Sequence, residues 1–316
     1  MKPRNVIIDC DTGIDDALAL LLALRSPEFN VLGITCVSGN IALDKVVRNT
    51  LVVVEHSGKN VPVYRGAYRA LVGAGHTAEY VHGSNGLGDL IFPEPQIKEN
   101  GEHAVDFLVR SFMEATEPIE LITLAPLTNI ALAIQKEPRL AEKIPSLVMM
   151  AGGIENGNST VAAEFNIYVD PEAAEIVFNS KIPRKMMVAL DPNRQGGGIH
   201  SEDVRQIEMS DAPWCQMGAA LLRYQLERWK TFVGREMPTT PPDMTAMGIA
   251  IDPSLANAEM LHVAIETGGV HTRGMTVVDR RAMRGIFRPA PEPNINVVWT
   301  LDNERYRKLV VETYLG

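Results

Sequence analysis

Five apolar runs of strand length punctuate the first 190 residues, at positions 6–10, 31–37, 119–124, 146–150 and 185–190. Between them, residues 43–56, 103–115, 129–135 and 171–178 carry apolar positions at helical spacing. This alternation predicts a mainly parallel sheet with helices on both faces. The expected fold is an open, Rossmann-like α/β domain, whose pocket lies at the carboxyl ends of the strands. Polar or glycine-bearing stretches follow those ends: Ser38-Gly39-Asn40, Ala125-Pro126-Leu127-Thr128-Asn129, Gly152-Gly153 and Asp191-Pro192-Asn193. From 201 to 235 the pattern is helical and rich in aromatic and basic residues. Short strand-like runs follow at 262–266, 275–278 and 296–299, and a final helix is expected over 304–314. No linker, repeat or low-complexity tract interrupts the chain, so residues 1–316 read as a single domain. Two glycine-rich loops, 73–88 and 195–198, are expected to be mobile. Neither has the Gly-Lys-Ser/Thr of a phosphate-binding loop.

The densest chemistry sits directly after the first run. In Asp9-Cys10-Asp11-Thr12-Gly13-Ile14-Asp15-Asp16, four carboxylates fall within eight residues. Asp9 and Asp11 are two apart, which puts both on the same side of the strand end. Gly13 permits a tight turn. Asp15 and Asp16 open an apolar helix, where the N-terminal dipole favours negative charge. That dipole offsets only part of the mutual repulsion, and a bound cation would hold the group together. Oxygen-only ligands select a hard ion, Ca²⁺ or Mg²⁺. A capped helix with a solvated acidic turn is the alternative.

Two further groups stand out. Asn158, Glu164 and Asn166 lie within nine residues and offer the donors and acceptors that would chelate a sugar diol. A polar loop bonded to its own backbone would account for them as well. Asp243 reads as the N-cap of an apolar helical stretch, which is a sufficient structural role by itself.

Bulk properties narrow the partners. A net charge of −9 over 316 residues argues against a polyanion such as nucleic acid. The three cysteines, Cys10, Cys36 and Cys215, form no zinc or disulfide framework, which suits a reducing cytoplasm. The N-terminal segment has no room for a signal-peptide core, and no run approaches a membrane span. A cytoplasmic protein without membrane contact is therefore expected.

Taken in order, these pieces resemble the nucleoside hydrolase family, inosine–uridine preferring type. The motifs that carry the resemblance are Asp9 to Asp16, Val37-Ser38-Gly39-Asn40, His82-Gly83, Pro126-Leu127-Thr128-Asn129-Ile130-Ala131, Ala163-Glu164-Phe165-Asn166-Ile167, Asp243 and Arg273-Gly274-Met275-Thr276-Val277-Val278-Asp279. The match spans nearly the whole chain. It implies calcium-dependent hydrolysis of the N-glycosidic bond of ribonucleosides to ribose and free base. Ca²⁺ would be held by Asp11, Asp16, the backbone carbonyl of Leu124 and Asp243, with the ribose 2′- and 3′-hydroxyls and one water completing the shell. Asp11 would take a proton from that water. Asp15, Asn40, Asn158, Glu164 and Asn166 would hold the ribose, with Met150 under the sugar and Phe165 among the substrate contacts. A homodimer or homotetramer is also implied.

The chain departs from the family around the base. Inosine–uridine members carry a histidine just before the last metal aspartate as the leaving-group acid, and this chain has Pro242 there. Purine-specific members place tryptophans where this chain has His82 and Pro242. Thr12 stands where many members have proline. Candidate base contacts are His82 on the first glycine-rich loop, Tyr224 as a hydrogen-bond donor and Trp229 as a stacking platform. Plain helix packing would also account for the last two. Two other readings start from the same acidic strand end. One is a haloacid-dehalogenase-like Mg²⁺-dependent phosphatase, although Thr12 follows Asp11 one position too early for that motif. The other is a non-catalytic, calcium-dependent nucleoside or ribose binder.

Overall fold

A computed structural model describes residues 2–73, 75–194, 197–281 and 291–316. Ala74 and two residues of the second glycine-rich loop, Gln195 and Gly196, lie outside the described residues. The strands, in chain order, are β1 (Arg4–Cys10), β2 (Phe29–Cys36), β3 (Val63–Arg65), β4 (Ile119–Thr123), β5 (Leu147–Met150), β6 (Lys185–Val188), β7 (Ala256–Leu261), β8 (Val263–Ile265), β9 (Thr276–Val278) and β10 (Ile295–Leu301).

Eight of them form one sheet in the order β3-β2-β1-β4-β5-β6-β10-β7. Every neighbouring pair is parallel except β10 with the edge strand β7. β8 and β9 make a separate antiparallel ribbon. From β1 the chain winds outward through β2 and β3, then returns to place β4 on the other side of β1. The carboxyl ends of β1 and β4 therefore flank a topological switch point, where open α/β sheets bind ligands. Asp11 follows β1 and Leu124 follows β4.

Strand β1 shows why its apolar run does not alternate with polar residues. Val6, Ile8 and Cys10 enter the core on one face of the sheet, and Ile7 enters the core on the other. With helices on both faces, every position from Val6 to Cys10 is buried. The helix Ile14–Arg25 is similarly enclosed, with ten residues buried, including Leu18, Leu20, Leu21 and Leu22. Helices Leu43–Ser57, Pro213–Val233, Pro242–Ile251 and Asn303–Leu315 pack around it. A helix that is apolar on all sides belongs in a core, and truncating one of its leucines to alanine should cost about 2–5 kcal/mol.

Some element boundaries differ from the pattern. The helical stretch 201–235 is two helices, Ser201–Glu208 and Pro213–Val233, because Pro213 cannot continue the first and starts the second. The run 185–190 stops as a strand at Val188, and Asp191 opens a short helical turn. Two edge strands, β3 and β7, carried no readable signal. β3 has only three residues, and β7 is largely exposed, with a single buried residue, Leu261. Among the described residues, no helix is long and apolar enough to cross a membrane.

Candidate active site

The floor of the site is built where β1 runs into the helix Ile14–Arg25. Asp16 folds back on its own loop. Its Oδ1 accepts from the Asp11 N–H (3.1 Å), and its Oδ2 accepts from the Gly13 N–H (2.9 Å) and from Nδ2 of Asn40 (3.0 Å). Asp11 accepts the Asn40 N–H on Oδ2 at 2.6 Å. Among the described residues, Oδ1 of Asp11 and Oδ1 of Asp15 are buried without a hydrogen bond. Carboxylate oxygens of Asp15, Asp16 and Asp243 lie within 4.8 Å of one another. Burial is the main reason that protons are held tightly here, and mutual repulsion adds to it. Asp16 is pushed up to about 6, and Asp11 and Asp243 stand well above the usual carboxylate range. Such a cluster needs positive charge, and its donors are all oxygen.

Two glycines are set by close approach. Gly13 has φ −93°, so no left-handed turn requires it. A Cβ there would lie 2.5 Å from Nδ1 of His82. A Cβ on Gly39 would strike the Asp11 carboxylate. Thr12, in place of a proline, shares a hydrogen bond with the Thr50 hydroxyl at 2.7 Å.

Asp9 does not join the floor. Its Oδ1 accepts from Thr35 Oγ1 (2.5 Å) and Asn129 Nδ2 (2.8 Å), which ties β1 to β2 and to the helix Thr128–Lys136. Burial raises its pKa to about 7 despite these bonds. The strand ends before Asp11, so the two-residue alternation no longer governs where Asp11 points.

Above the floor opens a cavity of about 570 Å³. Asp15, Asn40, Leu124, Met150, Asn158, Glu164, Phe165, Asn166, His82, Trp229 and Asp243 all line it. Asp11 and Asp16 sit just beneath. Glu164 caps the short helix Phe165–Val169 and accepts from the N–H groups of Gly152, Asn166 and Ile167, so its carboxylate is fixed by backbone while it borders the cavity. Asn166 donates through Nδ2 to the carbonyls of Leu124 (2.9 Å) and Met150 (3.1 Å). That bond engages one lone pair of the Leu124 carbonyl and leaves the other.

Three expectations need correction. Asp243 is not an N-cap. The cap is Pro241, and Pro242 and Asp243 follow in the first turn, where a proline N–H is not missed. His82 is buried in a single helical turn, Glu79–His82, instead of riding a mobile loop. Its Nδ1 accepts from the Ile14 N–H and lies 3.6 Å from Oδ1 of Asp15. Burial lowers its pKa, with the nearby Asp15 charge opposing. Tyr224 does not line the cavity, and its ring packs against Gly88. The helix Pro213–Val233 turns the adjoining positions inward, Gln225, Arg228, Trp229 and Phe232, with Tyr224 at the edge of that face. The i, i+3, i+4, i+7 spacing of those four was the available signal. Met237, Pro238 and Thr239 complete that wall and carried no motif at all.

Comparison with known proteins agrees with this geometry. The sequence model described as inosine-uridine preferring nucleoside hydrolase matches residues 6–308. A pyrimidine-specific ribonucleoside hydrolase, RihA, of Citrobacter koseri is 38% identical, covering 97% of this chain and 96% of the relative. An inosine-uridine preferring nucleoside hydrolase of Leishmania major is 39% identical, covering 89% and 90%. Among solved structures, a plant nucleoside hydrolase, PpNRh1, superposes with a TM-score of 0.90 at 30% identity over 99% of both chains. A purine-preferring ribonucleoside hydrolase from Gardnerella vaginalis gives 0.88 at 28% identity over 98% of both. With the family model matched over nearly the whole chain and relatives at this identity and coverage, the chain belongs to the inosine–uridine preferring nucleoside hydrolase family, enzymes that cleave ribonucleosides.

Proposed function

We propose that this enzyme hydrolyses the N-glycosidic bond of ribonucleosides in a calcium-dependent reaction, with Asp11 as general base. The observation that carries the reading is Oδ1 of Asp11. It is buried and has no hydrogen-bond partner among the described residues, while Asn40 holds Oδ2 in place. The donor set suits Ca²⁺: Asp11, Asp16, Asp243 and the free lone pair of the Leu124 carbonyl are hard oxygen ligands. Ca²⁺, when bound, orients the ribose diol and lowers the pKa of the attacking water.

The remaining work falls to side chains. Asp11 accepts the proton of the attacking water through Oδ1. Asp15, Asn40, Asn158, Glu164 and Asn166 bond the ribose hydroxyls. Bond cleavage builds positive charge on C1′ and the ring oxygen, and the surrounding carboxylates stabilise it. Pro242 has no proton to give the leaving base. His82 accepts at Nδ1, so its proton is on Nε2, and the neutral ring serves the base as a hydrogen-bond donor. Trp229 offers the base an aromatic face.

A reducing-sugar assay over the common ribonucleosides, with and without chelator, tests this reading. Ribose release that stops on chelation and returns with Ca²⁺ supports it. Phosphate release from p-nitrophenyl phosphate, or nucleoside binding with no sugar formed, would overturn it.

A further inference from the structure

We infer that Arg228 is a positioning residue of this site: it clamps the turn that carries His82 against the helix Pro213–Val233. The inference rests on the ribonucleoside hydrolase reading, since His82 enters as the group that meets the base. The guanidinium reaches across the cavity wall and donates from Nη1 to the Val81 carbonyl (2.5 Å) and from Nη2 to the Tyr80 carbonyl (3.0 Å).

The backbone of this turn explains the need. The Ala78 carbonyl accepts from the N–H groups of Val81 (2.8 Å) and His82 (3.0 Å), Glu79 from Gly83 (2.9 Å), and His82 from Gly88 (2.7 Å). The carbonyls of Tyr80 and Val81 are the ones that receive the guanidinium. A one-turn helix has no further turn to supply its last carbonyls with donors. Arg228 supplies two, in a planar fork whose charge strengthens both bonds. One helical turn earlier on the same face, Tyr224 lies against Gly88, where the segment ends. Arg228 and Tyr224 thus hold the two ends of residues 80–88. The Ile14–His82 bond holds the same segment from the floor side. His82 is gripped between the acidic loop and the outer helix, and Arg228 acts on it through the adjacent carbonyl without entering the reaction.

The test combines kinetics with hydrogen exchange. Arg228→Ala should lower kcat/KM on inosine and uridine by about tenfold, and by no more than His82→Ala does, because it acts by misplacing that one group. Arg228→Lys should recover only part, because an ammonium cannot reproduce the fork. Added guanidinium ion should partly rescue Arg228→Ala. In a His82→Ala background the same substitution should cost little, because both changes act through one group. Without substrate, the amides of His82, Gly83 and Gly88 in Arg228→Ala should exchange about tenfold faster or more. Additive losses in the double variant, or unchanged exchange over residues 80–88, would overturn the clamp. A wild-type protein that forms no ribose would instead defeat the hydrolase reading and leave the exchange result standing.

Discussion

The main-chain N–H of Ile14 donates to Nδ1 of His82 across 3.1 Å, so the first turn of a deeply buried helix fixes which nitrogen of a cavity histidine carries its proton. Gly13, directly before Ile14, leaves just enough room for that ring. Acidic loop, helix start and imidazole form one packed unit.

From this follows a distinction between two roles for His82. A neutral ring whose Nδ1 is already an acceptor, and whose burial lowers its pKa, donates a hydrogen bond without acting as a proton source. His82→Ala should therefore lose about 10–100-fold on inosine, the worth of one buried hydrogen bond. It should lose a similar factor on p-nitrophenyl riboside, whose leaving group needs little protonation. A large loss confined to inosine would restore an acid role. Gly13→Ala should resemble His82→Ala, because its Cβ displaces the ring.

Asp11→Asn should retain nucleoside binding and lose most turnover, by about 10²–10⁴-fold, the usual cost of a missing positioned base. Single-turnover kinetics beside a binding isotherm separate the two. Near-normal turnover would remove Asp11 from the base role.

Ribose should be strongly preferred over 2′-deoxyribose. In the proposed ribose contacts Asp15, Asn40 and Asn166 would lose a partner when a hydroxyl is missing, and sites built to bond a hydroxyl reject the analogue by about 10⁴-fold. Equal kcat/KM values for inosine and 2′-deoxyinosine would contradict the ribose assignment.

Acid should stabilise the metal-free protein. Asp16 and Asp9 have folded pKa values raised to about 6 and about 7 from the ordinary 3.8. Between the ordinary and raised values the native state binds more protons than the unfolded chain. Stability is then fully present below the ordinary range and falls as pH rises through the raised values. Thermal unfolding in chelator should show a Tm that drops from mildly acidic to neutral pH. Added Ca²⁺ should raise Tm most at the neutral end. A Tm in chelator that rises over that interval would mean that the cluster is not held protonated.

Much of this was legible in the sequence because it depends on local rules. The parallel sheet follows from apolar runs such as Val6-Ile7-Ile8, which are continuous because both faces are covered. The acidic floor was announced by the carboxylates crowded at one strand end, of which Asp11, Asp15 and Asp16 join it and Asp9 does not. What stayed illegible depends on meetings between distant segments. Nothing near Gly13 announces His82, nearly seventy residues on. Tyr224 and Trp229 look alike as aromatic residues on one helix, yet the rotation of that helix turns one onto Gly88 and the other into the cavity. Asp9 and Asp11 look equivalent by spacing, but the strand stops between them.

The helix Ile14–Arg25 lies enclosed by four others, and it delivers its acidic first turn to the cavity floor. The outer wall, in contrast, comes from a half-exposed helical stripe and from proline-rich chain around 237–242. Mutational freedom is therefore unequal across one pocket. Substitutions at the floor disturb the centre of the fold, while Trp229 and Phe232 are half or more exposed and pack against little of it. A lineage can exchange one nucleobase preference for another at the rim and keep the sugar chemistry intact. Relatives named for pyrimidines and for purines, built on the same sheet, are the pattern such freedom would leave.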